Sequence, residues 1–168
     1  MILVIGYGNS LCGDDGIGPY VVEWLAANGA TLENGATVEH VEAVEYLVLR
    51  QLTPELIESI SFAQTVIFID AALGNRPGEF FLRELSPAIP YNKEAPGAFS
   101  HFASPINLLE TAESLYGRRP IAYLYSITGL NFDLGSSFSA PVEAALPQLL
   151  GKLKSRIALC TSSALPKR

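Results

Sequence analysis

Two cysteines are all the chain has, Cys12 and Cys160, far apart and in no CxxC pair. That excludes a disulfide framework and a cysteine-built zinc cage, and it fits a reducing, cytoplasmic setting. Long hydrophobic runs are missing too. The opening Met1 to Gly6 is apolar but too short to span a membrane, and no basic stretch precedes it as in a signal peptide, so no membrane role is expected. The sequence holds no H-E-x-x-H, no G-x-S-x-G, and no caspase-like or papain-like cysteine signature, which removes three common peptidase chemistries. Basic charge is scarce: 11 Lys and Arg stand against 17 Asp and Glu, a formal charge of -6. A phosphate backbone would be repelled, so no nucleic-acid partner is expected. Lys152, Lys154, Arg156, Lys167 and Arg168 gather near the end, as on a solvated last helix and tail.

What is present is one domain's worth of core: 168 residues, 49% apolar and 17% charged. Met1 to Ile5 reads as a buried strand, a loop follows to Asp15, and Ile17, Val21, Trp24 and Leu25 have helical spacing up to a stop at Asn28-Gly29. A second strand is expected over 37–44 and a short helix over 54–61 with Thr53 as N-cap. Thr65 to Ile69 is β-branched and apolar throughout, as in a strand covered on both faces, and ends at Asp70. A strand over 79–85 precedes an aperiodic stretch, 86–104, read as a long functional loop. Then come a helix over 105–116, a strand over 120–128, and a last helix opened by Ser139-Ala140-Pro141, in which Pro147 predicts a kink. The alternation predicts an α/β fold: a single three-layer domain, 1–157, with a mostly parallel twisted sheet of about five strands flanked by helices. Residues 158–168 are expected to form a flexible C-terminal tail.

The loop after the first strand reads Gly6-Tyr7-Gly8-Asn9-Ser10-Leu11-Cys12-Gly13-Asp14-Asp15-Gly16-Ile17-Gly18. It stands where a dinucleotide fingerprint would, but Leu11 occupies the third glycine position, two acids stand where a pyrophosphate would lie, and no Lys or Arg is in the loop. Carboxylates at the carboxyl edge of such a sheet invite a cation instead. The structural alternative is that Asp14 caps the helix while Asp15 favours its positive end, worth ~0.3–1 kcal/mol per group. Asp70, at a strand end, brings a second carboxylate to the same edge, although a strand-end Asp also serves as a turn former. His101, in the irregular segment, offers an imidazole. Asp15, Asp70 and His101 together make an O,O,N set suited to nickel or zinc. Cys12 is disfavoured as a nucleophile by the neighbouring acids, and His40, among apolar neighbours, reads as structural.

The glycine-asparagine loop with its paired acids resembles the N-terminal motif of the hydrogenase maturation endopeptidases, and Asp70, His101 and the last amphipathic helix extend the likeness over nearly the whole chain. Gln51 to Leu56 resembles the branch serving bidirectional, NAD-linked nickel-iron hydrogenases. The resemblance implies a hydrolase, an aspartyl peptidase-like protease, that trims a C-terminal extension from the hydrogenase large-subunit precursor. Asp15, Asp70 and His101 would be its catalytic and metal-contacting residues. The nickel would be supplied by the precursor rather than held as a resident cofactor. Two departures stand out: Asp15 replaces the Glu of many relatives, and Leu134 to Ser137 is Gly/Ser-rich before the last helix. Two rival readings share these residues: a nickel chaperone or scaffold that cuts nothing, and a small-molecule α/β hydrolase with Asp15 as general base.

Overall fold

The computed structural model describes residues 1–29, 44–85 and 103–163. Along the chain lie β1 (Ile2–Tyr7), a 3-10 turn (Gly13–Gly16), α1 (Ile17–Asn28), β2 (Val44–Leu49), α2 (Leu56–Phe62), β3 (Thr65–Ala72), β4 (Phe80–Glu84), α3 (Pro105–Tyr116), β5 (Ile121–Thr128) and α4 (Ala140–Ser163). Because side chains alternate across a strand, the two central strands feed two cores. Ile2, Val4, Ile67 and Ile69 pack with Val21, Val22 and Leu25 of α1 and with Val142, Leu149, Leu153 and Ile157 of α4. Leu3, Ile5, Val66 and Phe68 pack on the other face with Leu56 and Ile60 of α2 and with Ile106 and Leu109 of α3. Burial on both faces is why these strands are apolar at every position rather than at alternate ones.

The sheet order is β2-β1-β3-β5-β4, with every pairing parallel except the antiparallel edge strand β4. This is the three-layer, mostly parallel α/β architecture expected. The chain moves from β1 outward to β2 and then returns to the other side of β1 as β3. The order therefore reverses between β1 and β3, and their carboxyl ends flank the crevice where open sheets of this kind bind ligands.

Several boundaries differ from those read along the sequence. Of the strand expected over 37–44, residues 37–43 lie outside the described residues, and β2 begins at Val44. β3 runs past Asp70 to Ala72, because its pairing with β5 continues through Asp70↔Ser126 to Ala72↔Thr128. α4 continues as one helix past Pro147, which costs it one backbone hydrogen bond. It also continues through residues 158–163, part of the segment expected to be a flexible tail; Ile157 and Cys160 pack on the core there and Thr161 is buried. Residues 164–168 lie outside the described residues. Among the described residues, no helix is long and apolar enough to cross a membrane.

α1 meets the sheet backbone to backbone. A Cβ on Gly6 would lie 2.1 Å from the Gly18 carbonyl oxygen, and one on Gly18 would lie 2.4 Å from that of Ile69. The outer glycines of the motif thus let a helix press against two strands, a use that needs no pyrophosphate. Gly18→Ala is expected to cost about 3 kcal/mol of stability, measured by denaturant unfolding; a loss within error would show that the contact is not constrained.

Candidate active site

The paired acids of the first loop do different things. Asp14 is fully buried. Its Oδ2 accepts the backbone N–H of Leu130 at 2.7 Å and of Asn131 at 2.9 Å, and the Ser139 hydroxyl at 2.7 Å. Its Oδ1 accepts the Ser139 backbone N–H at 2.7 Å. Burial pushes the Asp14 carboxyl up, but these donors outweigh it and hold the pKa below the usual carboxylate value. Asp14 is therefore not the cap of α1 that the structural alternative proposed. It clamps a segment more than a hundred residues away, and backbone bonds from Gly13 to Gly135, Gly135 to Leu11, and Asp14 to Asn131 zip the same two loops together.

Asp15, one residue on, takes no part in this clamp and is half-buried. Its Oδ2 accepts the Asn9 backbone N–H at 2.8 Å. Gly8 lets the loop fold this tightly: its φ is 140°, and a Cβ there would lie 2.0 Å from the Asp15 carbonyl oxygen. Asn9 braces the turn further, donating from Nδ2 to the Cys12 sulfur at 2.9 Å and accepting from the Leu11 N–H at 3.2 Å. Cys12 is thus part of the loop's scaffold.

Asp70 stands near the carboxyl end of β3, half-buried between two hydroxyls. Tyr7 Oη donates to its Oδ2 and Ser126 Oγ to its Oδ1, both at 2.6 Å. Burial raises the Asp70 pKa to about 6; the two hydroxyls oppose the shift, and the Asp15 charge adds to it. The two charges therefore act on one another, Asp15 from the loop after β1 and Asp70 from near the carboxyl end of β3. Among the described residues no three His, Cys, Asp or Glu side chains gather as a metal set. Asp15 and Asp70 are two of the expected three, and His101 lies outside the described residues, as does His40.

The sequence reading missed Tyr7, Ser126 and the clamp made by Asp14. Only sheet register points to Ser126, which is the β5 partner of Asp70. Tyr7 follows Gly6, the partner of Ile69, and so comes next to Asp70.

No family model matches the chain, and no curated protein sequence matches it significantly. Solved structures do match. The [NiFe] hydrogenase maturation protease HybD from Thermococcus kodakarensis superposes with a TM-score of 0.67 at 23% identity, over 94% of this chain and 98% of that one. The hydrogenase maturating endopeptidase HybD from E. coli gives 0.64 at 21%, over 97% and 93%. An endopeptidase from Escherichia coli gives 0.65 at 24%, over 96% and 93%. What is common at these identities is the fold, and it spans nearly the whole chain.

Two stability measurements check the site's electrostatics. Asp14→Ala strands buried donors and is expected to cost at least about 3 kcal/mol in denaturant unfolding. Asp70 behaves oppositely: with its folded pKa near 6 against an ordinary 3.8, ionising it costs stability. That cost is absent below the ordinary value, grows between the two, and reaches about 3 kcal/mol above the folded one. Asp70→Asn is therefore expected to gain on the parent protein as pH rises from 4 to 8. Parallel stability profiles for the two proteins would contradict the raised pKa.

Proposed function

We propose that this chain is a cytoplasmic endopeptidase that removes a C-terminal extension from the nickel-loaded large-subunit precursor of a nickel-iron hydrogenase. The observation that carries the reading is the pair Asp15 and Asp70 at the switch point of a fold found, over nearly the whole chain, in hydrogenase maturation proteases. The glycine-asparagine loop adds a second line of support. Its glycines and Asn9 fold the loop so that one acid is consumed in the scaffold and the other is presented.

In this reading the nickel ion belongs to the substrate. Two carboxylates and the imidazole of His101 form an oxygen-oxygen-nitrogen set of the kind that suits such an ion. Asp15 and Asp70 repel one another when both are ionised, and a divalent cation between them removes that repulsion. A precursor still carrying its metal would thereby be distinguished from one that lacks it. Asp15 is one methylene shorter than Glu, so in this reading the loop, folded tightly at Gly8, must sit close to the ion. Gln51 to Leu56 favours a precursor from the bidirectional, NAD-linked class as the first to try.

Intact mass spectrometry of large-subunit precursors, with and without nickel, tests the proposal. Loss of a C-terminal peptide from the loaded form alone is the expected result, abolished in Asp15→Ala, Asp70→Ala and His101→Ala. A stable complex with unchanged precursor mass would instead identify a chaperone or scaffold. Wild-type processing by all three variants would refute the site.

A further inference from the structure

The carboxylate of Asp70 is gripped from both sides by strands, not by a loop. β3 lies between β1 and β5, and each neighbour contributes one hydroxyl. Ser126 is the register partner of Asp70, and side chains of register partners in parallel strands stand on the same face. Two residues before Asp70, Phe68 packs in the core against α2 and α3, where Leu124 and Tyr7 also pack. Period-two alternation therefore puts Asp70, Ser126 and Tyr7 on that one face, and the two hydrogen bonds of 2.6 Å follow. Both are as short as charge-assisted O–H···O bonds are.

We infer that Tyr7 and Ser126 are positioning residues, fixing the Asp70 carboxylate so that its remaining acceptor positions are held for an incoming cation. The inference rests on the reading of Asp70 as an ion-contacting residue. Each carboxylate oxygen has about two acceptor positions. Tyr7 takes one on Oδ2 and Ser126 one on Oδ1, so neither oxygen is free to turn away from the rim. What is left accepts only a cation or a hydrogen-bond donor. Among the described residues, Asp15 is held by a single backbone donor on one oxygen, in a loop. Asp70 is thus the stiffer of the two, its geometry set by packed strands, which hold a functional group more closely than loops do. Tyr7 also shows why an aromatic residue ends β1: its ring packs on the core while its hydroxyl reaches across to the next strand.

Tyr7→Phe and Ser126→Ala each remove one oxygen donor and leave the packing almost unchanged, while Ser126→Thr keeps a hydroxyl and suits a strand. Crystal structures of the two single variants and of the double variant are expected to show the Asp70 carboxylate rotated or in two conformers, and that of Ser126→Thr to show it in place. Thermal unfolding should confirm that each variant is folded. Processing of nickel-loaded precursor is expected to fall about 10–100-fold in Tyr7→Phe and Ser126→Ala, with recovery in Ser126→Thr. A carboxylate in its parent position in the double variant, or processing at the parent rate by both single variants, overturns the assignment. If the parent protein leaves every loaded precursor whole, the functional reading fails, and the crystal structures alone still decide whether the two hydroxyls position Asp70.

Discussion

Asp14 is a buried carboxylate that, among the described residues, has no cation paired with it, and the arrangement of the sheet's carboxyl edge depends on how it is satisfied. An ionised group in such a place is tolerable only when donors replace its water. The donors come from Leu130, Asn131 and Ser139, so the loop after β1, the loop after β5 and the residue just before α4 must meet at one point. Its lowered pKa makes the clamp a source of stability above the ordinary carboxylate value, lost as pH falls through the folded one. Because α4 also covers the sheet with Leu149, Leu153 and Ile157, this one polar contact sets the height at which a long helix begins its apolar packing.

The clamp also explains the division of labour between adjacent acids. A 3-10 turn over Gly13–Gly16 sends successive side chains in different directions. One carboxylate turns inward to the donors, and its neighbour accepts, among the described residues, a single backbone donor. The glycines around them serve close approach: Gly6 and Gly18 bring α1 onto the strands, and Gly8 makes room for the Asp15 carbonyl. A loop that resembles a nucleotide-binding turn in outline is thus packed for another purpose, with acids where phosphate would need amides.

Asp70 shows the opposite balance. Its two hydroxyl donors are too few to offset burial, and Asp15 nearby makes ionisation harder still. The contrast with Asp14 lies in the number and kind of donors: four hydrogen bonds, three of them from backbone amides, against two from hydroxyls.

Much of this was readable along the chain. The apolar run at 65–69, the helical spacing after Gly16 and the helix start at Pro105 are local signals, and they determined the element order and the parallel α/β class because strand burial and helix periodicity act over a few residues. Strand positions also put Asp15 and Asp70 at the carboxyl edge of the sheet, and the sheet order then made their strands neighbours. The sequence could not assign Asp14 to the clamp rather than to a helix cap, since its partners are more than a hundred residues distant. Nor could it find Tyr7 and Ser126, because their roles come from sheet register, which pairs residues 63 and 56 positions from Asp70. Local spacing decided what the elements are; only tertiary packing decided which carboxylate is buried in the scaffold and which hydroxyls hold the one beside it.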